Sequence, residues 1–162
     1  MCPDKKTALI FEFLYYSAAR ISEALGLLLR EMKPINGKVE ITIHGKGSKD
    51  RKGQVPAELI ERINAYFAGE IFLFEHNGKP YRREYISMCI KRQARKILDR
   101  EISAHTLRHT RATLIYRETK NFKGIQQLLG HASNATTMNL YVHDGFSAED
   151  QEAIDRLDGL LN

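Results

Sequence analysis

The chain has 162 residues, 43% hydrophobic and 28% charged, which is enough for one compact domain with a single core. No apolar run approaches the ~20 residues needed to cross a bilayer, and no apolar segment follows Met1-Cys2-Pro3-Asp4-Lys5-Lys6, so neither a membrane span nor export is expected and the protein reads as cytoplasmic. Two distant cysteines, Cys2 and Cys89, exclude a disulfide framework or cysteine zinc site and read as free thiols, while the net charge of +5 leaves a polyanionic partner open.

Asp4 to Ser17 carries Ala8, Leu9, Phe11, Phe13, Leu14 and Tyr15, dense enough for a buried helix with Asp4 as N-cap. A second helix is expected over Ile21–Leu29, with Arg20 at the junction between the two. Asn36-Gly37 is a tight-turn pair, and Lys38 to His44 alternates polar with β-branched residues, the period of a strand. Gly45 to Arg51 is then a basic hairpin tip, and Gln54-Val55-Pro56 the returning strand.

Pro56-Ala57-Glu58 reads as a helix start, with an apolar stripe of Leu59, Ile60, Ile63, Tyr66 and Phe67 that stops at Gly69. Ile71-Phe72-Leu73-Phe74 reads as a short buried segment before the turn Asn77-Gly78-Lys79-Pro80. The next helix places Ile86, Ile90, Ala94 and Ile97 on one face and leaves Lys91, Arg92, Arg95 and Lys96 largely on the others. Between Lys79 and Arg100 eight basic residues face only Glu84 and Asp99, a field suited to nucleic acid, though a solvated helix face has the same composition. Three helical pieces follow at Thr106–Tyr116, Phe122–Leu129 and Ala135–Tyr141, with Gly130 placed to end the middle one. From Asp144 onward six acidic residues stand against Arg156; removing that net −5 leaves a body of +10. Ser147-Ala148-Glu149-Asp150 caps a last amphipathic helix with Ile154, Leu157, Leu160 and Leu161 on its apolar face.

The densest chemistry lies in Ser103-Ala104-His105-Thr106-Leu107-Arg108-His109. Ser103 can cap a helix whose first turn carries His105 and Arg108 on one face, and free amides, helix dipole, imidazole and guanidinium together suit a phosphate. An amphipathic helix with surface His and Arg would read the same way. His105 and His109 also have the i, i+4 spacing of zinc-binding helices, but no Glu follows His105, and Glu101 and Glu118 lack a third-ligand spacing. No metal site is therefore assigned.

Five motifs occur in one order: Arg20-Ile21-Ser22-Glu23-Ala24-Leu25-Gly26-Leu27, Gly45-Lys46-Gly47-Ser48-Lys49-Asp50-Arg51, His105-x-x-Arg108-His109, Leu128-Leu129-Gly130-His131, and Thr136-Thr137-Met138-Asn139-Leu140-Tyr141. This series resembles the catalytic domain of the tyrosine recombinase (phage integrase) family, from about residue 4 to about residue 145. The resemblance implies that Arg20 and Arg108 are the catalytic arginines, Lys46 the hairpin lysine, His105 and His131 the two histidines, and Tyr141 the nucleophile. The chemistry of each side chain agrees. Two arginines that never deprotonate stabilise the charge that builds on a phosphodiester under attack, and a tyrosine with a reference pKa near 10 needs a base, for which His105 is placed. Lys46, with Lys49 as alternative, would protonate the leaving 5′ oxygen, and His131 would donate a hydrogen bond to the phosphate.

The resemblance implies a mostly α fold with a small antiparallel sheet carrying the hairpin. It implies DNA cleavage and rejoining through a 3′-phosphotyrosyl intermediate, with neither metal nor cofactor, by a homotetramer on double-stranded DNA. Residues 1–146 would be the catalytic unit and 147–162 its tail, packed either on the protomer's own core or on a neighbour. Duplex contacts are expected from Lys49, Arg51, Lys52, Arg82, Arg83, Lys91, Arg92, Arg95 and Lys96. A catalytically silent DNA-binding relic, a type IB topoisomerase or a telomere resolvase are the competing readings. Two departures stand out. Ala18-Ala19 precedes Arg20 where many members have glycine and a larger apolar residue, and His131 to Tyr141 spans ten residues, one more than in many members. Family members usually carry one or two DNA-binding domains ahead of this part, so the chain reads as an excised catalytic domain or a truncated relative.

Overall fold

The computed structural model describes residues 4–45, 50–99 and 102–130. The fold is mostly helical, with a small antiparallel sheet at one side. Helix α1 (Lys5–Ser17) is the central element: Leu9, Ile10, Phe13 and Leu14 are buried, and it packs against α3 (Ala57–Phe67), α4 (Arg83–Leu98) and α5 (Ala104–Thr119). Asp4 occupies the N-cap position of α1, but its carboxylate accepts from the Thr7 hydroxyl (3.0 Å) rather than from a backbone amide. Phe13 meets Phe74 edge to face at 5.2 Å, and Phe67 meets Phe74 at 5.3 Å, which ties α1, α3 and the chain after α3 together.

The expected second helix is shorter than its apolar spacing predicts. Helix α2 covers only Ile21–Leu25 and ends at Gly26. Beyond it the helix does not continue: Leu28 is extended and pairs with Phe72, Leu29 N–H donating to the Ile71 carbonyl and Leu73 N–H to that of Leu27, both at 3.0 Å, before a single 3₁₀ turn over Leu29–Glu31. Backbone pairing across the domain thus overrides the local helical period. In the partner segment Leu73 and Phe74 are buried as expected, whereas Ile71 is exposed.

Strands β1 (Lys33–Ile35), β2 (Lys38–His44) and β3 (Asp50–Pro56) form a meander in the order β1-β2-β3. Alternation along β2 turns Val39, Ile41 and Ile43 inward. Asn36 and Gly37 both have positive φ, 46° and 73°, the backbone of a type I′ turn, which matches strand twist in a two-residue hairpin. The pair Asn77 and Gly78 does the same between β4 (Glu75–His76) and β5 (Lys79–Pro80). A three-strand sheet with one face on α1 and α3 fixes the base of the hairpin at His44 and Asp50, which are register partners.

Ile86, Ile90 and Ala94 bury one face of α4, and Lys91, Arg92, Arg95 and Lys96 are exposed on the others. Helix α6 (Phe122–Leu129) packs on α5, and a small apolar cluster of Ala18, Ala112, Ile125 and Leu129 joins both helices to the end of α1. That cluster brings the C-terminus of α6 beside the α1–α2 junction. The expected helices at 135–141 and 147–162 lie outside the described residues. Among the described residues no helix is long and apolar enough to cross a membrane.

Candidate phosphate-binding site

Three elements converge on one carboxylate. Glu23 sits at the third position of α2, where a glutamate reaches back to the helix start, and its Oε2 accepts from the Arg20 backbone N–H at 2.7 Å. Arg20 Nη1 donates to Oε1 at 2.7 Å. Arg51, from β3, donates twice, Nη1 to Oε1 at 3.1 Å and Nη2 to Oε2 at 2.6 Å. Arg108 Nη1, from α5, lies 3.7 Å from Oε2. Three guanidinium charges surround a single carboxylate, so the cluster keeps an excess of two positive charges. Burial alone would push the Glu23 carboxyl up, but hydrogen bonds from Arg51 and Arg20 win and hold it down at about 2.

Arg108 is buried and bridges two elements. Its Nη1 donates to the Ala18 carbonyl at 2.8 Å and its Nη2 to the Leu129 carbonyl. Arg51 Nε donates to the neighbouring Leu128 carbonyl at 2.9 Å. The last carbonyls of a helix have no partner within it, and here two arginines satisfy them and complement the negative end of the helix dipole. Gly130 ends α6 with φ +59°, and a Cβ there would lie 3.2 Å from the Arg51 side chain, so the chain turns directly over that guanidinium.

Ser103 caps α5 as its position predicts: its hydroxyl accepts from Thr106 N–H at 3.2 Å, and Ser103 N–H donates to Thr106 Oγ1 at 3.3 Å. This sets His105 in the first turn. Burial, then the charges of Arg108 and Arg20, hold the imidazole below its ordinary 6.5. His105 is therefore neutral at physiological pH and able to accept a proton. The rings of His105 and His109 meet edge to face with centroids 4.1 Å apart, and their Nε2 atoms lie 2.5 Å apart in one hydrogen bond. Among the described residues no group of three or more His, Cys, Asp or Glu can hold a metal ion.

The structure thus brings Arg20, His105 and Arg108 together, with the Arg20 side chain 45% exposed and available to a ligand. Lys46, Lys49, His131 and Tyr141 lie outside the described residues; Lys46 falls in the connection closed by the His44–Asp50 pair, and His131 directly follows Gly130. Arg51, expected to face a duplex, is instead turned inward with only 8% of its side chain exposed, because Glu23 and Leu128 use all three faces of its fork. Lys52 is exposed and pairs with Glu40 (3.0 Å) and Thr42. Arg82 and Arg83 are exposed at the start of α4. From the sequence, Glu23 and His109 carry no role in this cluster, and Arg51 is expected at the duplex instead. Glu23 had a signal, a glutamate three residues after a helix boundary; the other two had only proximity to assigned residues.

The phage integrase family model matches residues 2–147. A tyrosine recombinase of Thermosipho africanus is 33% identical over 155 residues, covering 93% of this chain and 52% of the relative. The tyrosine recombinase XerD of Corynebacterium glutamicum is 34% identical over 151 residues, covering 86% and 49%. Among solved structures, the XerH site-specific recombinase bound to its difH substrate in a pre-cleavage complex superposes with a TM-score of 0.75 at 27% identity, over 93% of this chain and 46% of that one. The chain spans about half the length of these curated relatives. The family match over nearly the whole described fold, and the agreement in architecture, place this chain in the phage integrase family.

Proposed function

We propose that the protein cleaves and rejoins DNA strands through a covalent 3′-phosphotyrosyl intermediate at Tyr141, as a site-specific recombinase acting in DNA integration or excision. The observation that carries this reading is the convergence of Arg20, Arg51 and Arg108 on Glu23 with two positive charges in excess, and His105 within the field of Arg108 and Arg20. Such a cluster meets the needs of a phosphodiester under attack: fixed donors for the non-bridging oxygens, which gain charge in the transition state, and a neutral imidazole to take the tyrosine proton. His131 joins the phosphate donors from beyond the Gly130 turn. Lys46, or Lys49 in its place, protonates the leaving 5′ oxygen. The bond energy is held in the phosphotyrosine until a 5′ hydroxyl attacks, so the reaction as proposed uses neither metal nor nucleotide.

Residues 1–146 form the catalytic unit in this reading, and 147–162 a tail that docks on a neighbouring protomer of a tetramer assembled on DNA. The XerH structure, a relative bound to difH, supports the DNA partner. Exposed Lys52, Arg82, Arg83, Lys91, Arg92, Arg95 and Lys96 supply the duplex contacts.

The test uses nicked duplexes tiled across the DNA flanking the encoding gene, which trap a covalent adduct because the cleaved strand diffuses away. One tile is expected to yield a protein–DNA adduct with the wild type and none with Tyr141→Phe, whose DNA affinity should be nearly unchanged. An adduct persisting in Tyr141→Phe would assign the wrong nucleophile. Supercoil relaxation or hairpin formation without strand exchange would replace recombination by topoisomerase or resolvase chemistry.

A further inference from the structure

We propose that Arg51 is a positioning residue of the phosphate site: it neutralises Glu23 and locks it in place, so that Arg20 and Arg108 keep their charge for the ligand. This rests on reading the cluster as a phosphate site. Glu23 is the carboxylate that these three arginines share, and without a committed cation beside it the carboxylate would do two harmful things. It would draw Arg108 in from 3.7 Å and hold Arg20, already at 2.7 Å, more tightly, and it would repel an incoming phosphate.

The geometry separates the three arginines by task. Arg20 is nearly half exposed and bonds Glu23 through one terminal nitrogen. Arg108 stands 3.7 Å from the carboxylate, with its nearer bonds to the Ala18 and Leu129 carbonyls. Arg51 alone grips both carboxylate oxygens with its guanidinium, with its third donor on Leu128 and Gly130 turning over its side chain. A bidentate guanidinium pair is both stronger and more directional than a single contact, so Arg51 fixes where Glu23 points. It contributes nothing to the ligand directly, because it is buried on every side that the described residues define.

The experiment measures inorganic phosphate binding by the whole chain as a shift of its unfolding temperature, at constant ionic strength, since a ligand that binds only the folded state raises that temperature in proportion to occupancy. Wild type is expected to bind, and Arg51→Met to bind about tenfold or more weakly, as one uncompensated charge near a partly shielded site would require. Arg51→Met combined with Glu23→Gln should bind within about threefold of wild type, because the offending charge is gone although the strut is still missing. Arg51→Lys, which keeps the charge, should also stay within about threefold, and it carries the comparison together with the double variant if Arg51→Met does not fold.

Wild-type affinity in Arg51→Met overturns the proposal. So does a double variant as weak as Arg51→Met, which would leave Arg51 a purely structural brace. No response from the wild type removes the phosphate site and this proposal with it, an outcome distinct from normal wild-type binding with an indifferent Arg51→Met.

Discussion

The Arg108 guanidinium donates to the carbonyl of Ala18, 90 residues earlier, at 2.8 Å. Ala18 is in the left-handed region, φ 49°, where its carbonyl is turned out of the α1 hydrogen-bond ladder toward α5. The residue expected to stabilise the transition state is therefore also a clamp between α1, α5 and the end of α6. Arg108→Ala should reduce cleavage by about 10²-fold or more, the usual scale for losing one preorganised donor. It should also lower stability by about 3 kcal/mol, because the buried Ala18 and Leu129 carbonyls lose their donor. Arg108→Lys should recover little of either, since a point charge cannot span two carbonyls 111 positions apart in sequence. Cleavage rates and urea unfolding of the same samples check both parts.

Glu23 predicts an acid limb of stability. Its folded-state carboxyl titrates at about 2, against an ordinary value of 4.5. A lowered carboxylate pKa contributes stability that is fully present above 4.5 and is lost as pH falls toward about 2. Urea midpoints measured from pH 6 down to 2.5 should fall along this limb, and Glu23→Gln should flatten it. An unchanged acid limb in Glu23→Gln would assign the loss to other carboxylates.

The legible part of this molecule is what short-range chemistry decides. The alternation of Lys38 to His44 predicts β2 to the residue, Ser103 three positions before Thr106 predicts the α5 cap, and Phe122 to Gly130 predicts α6 and its end. Each depends on neighbours within a turn or a strand. What failed depends on partners far along the chain. Ile21 to Leu29 has a helical period, but pairing with Ile71–Leu73 takes Leu28 into extended backbone, and Leu29 opens a separate 3₁₀ turn. Arg51 looks like any cation of a basic hairpin, and only the approach of Glu23, 28 residues away, and of Leu128, 77 away, turns it inward. The Ala18 departure from the family pattern also becomes intelligible: a left-handed residue is required there, which glycine adopts freely and alanine at a cost of about 1 kcal/mol.

His44 predicts a second pH dependence, with opposite sign. At the base of the β2–β3 hairpin its Nε2 lies 2.7 Å from Glu31 and its Nδ1 3.0 Å from Asp50, and the hydrogen bonds the ring donates to these carboxylates, Glu31 first, raise its pKa above 6.5. A raised histidine contributes stability that is fully present below 6.5 and is lost as pH rises through its folded-state value. Hydrogen exchange of the β2 and β3 amides should therefore quicken between pH 6.5 and 8.5 beyond the intrinsic base-catalysed trend. His44→Gln should remove that excess, and an excess that survives the substitution would place the titrating group elsewhere.

The exposed cations of α4 predict how DNA affinity responds to salt. Lys91, Arg92, Arg95 and Lys96 stand on the faces of α4 left free by the buried Ile86, Ile90 and Ala94, and with Glu84, Ser87 and Met88 they line an open groove along the helix. Each cation that neutralises a phosphate releases a condensed counterion, so the slope of log affinity against log salt steepens by about 0.9 per contact on duplex DNA. Replacing all four by glutamine should flatten the slope by up to about 3.6, the full value requiring every one of them to touch a phosphate. Affinity for unrelated sequences should fall alongside affinity for the target, because phosphate contacts carry no base information. Fluorescence anisotropy of a labelled duplex over a range of salt concentrations measures the slope directly. A slope equal to that of the wild type would make this run a solvated face, and would move the duplex to Lys52, Arg82 and Arg83 or to residues beyond the described fold.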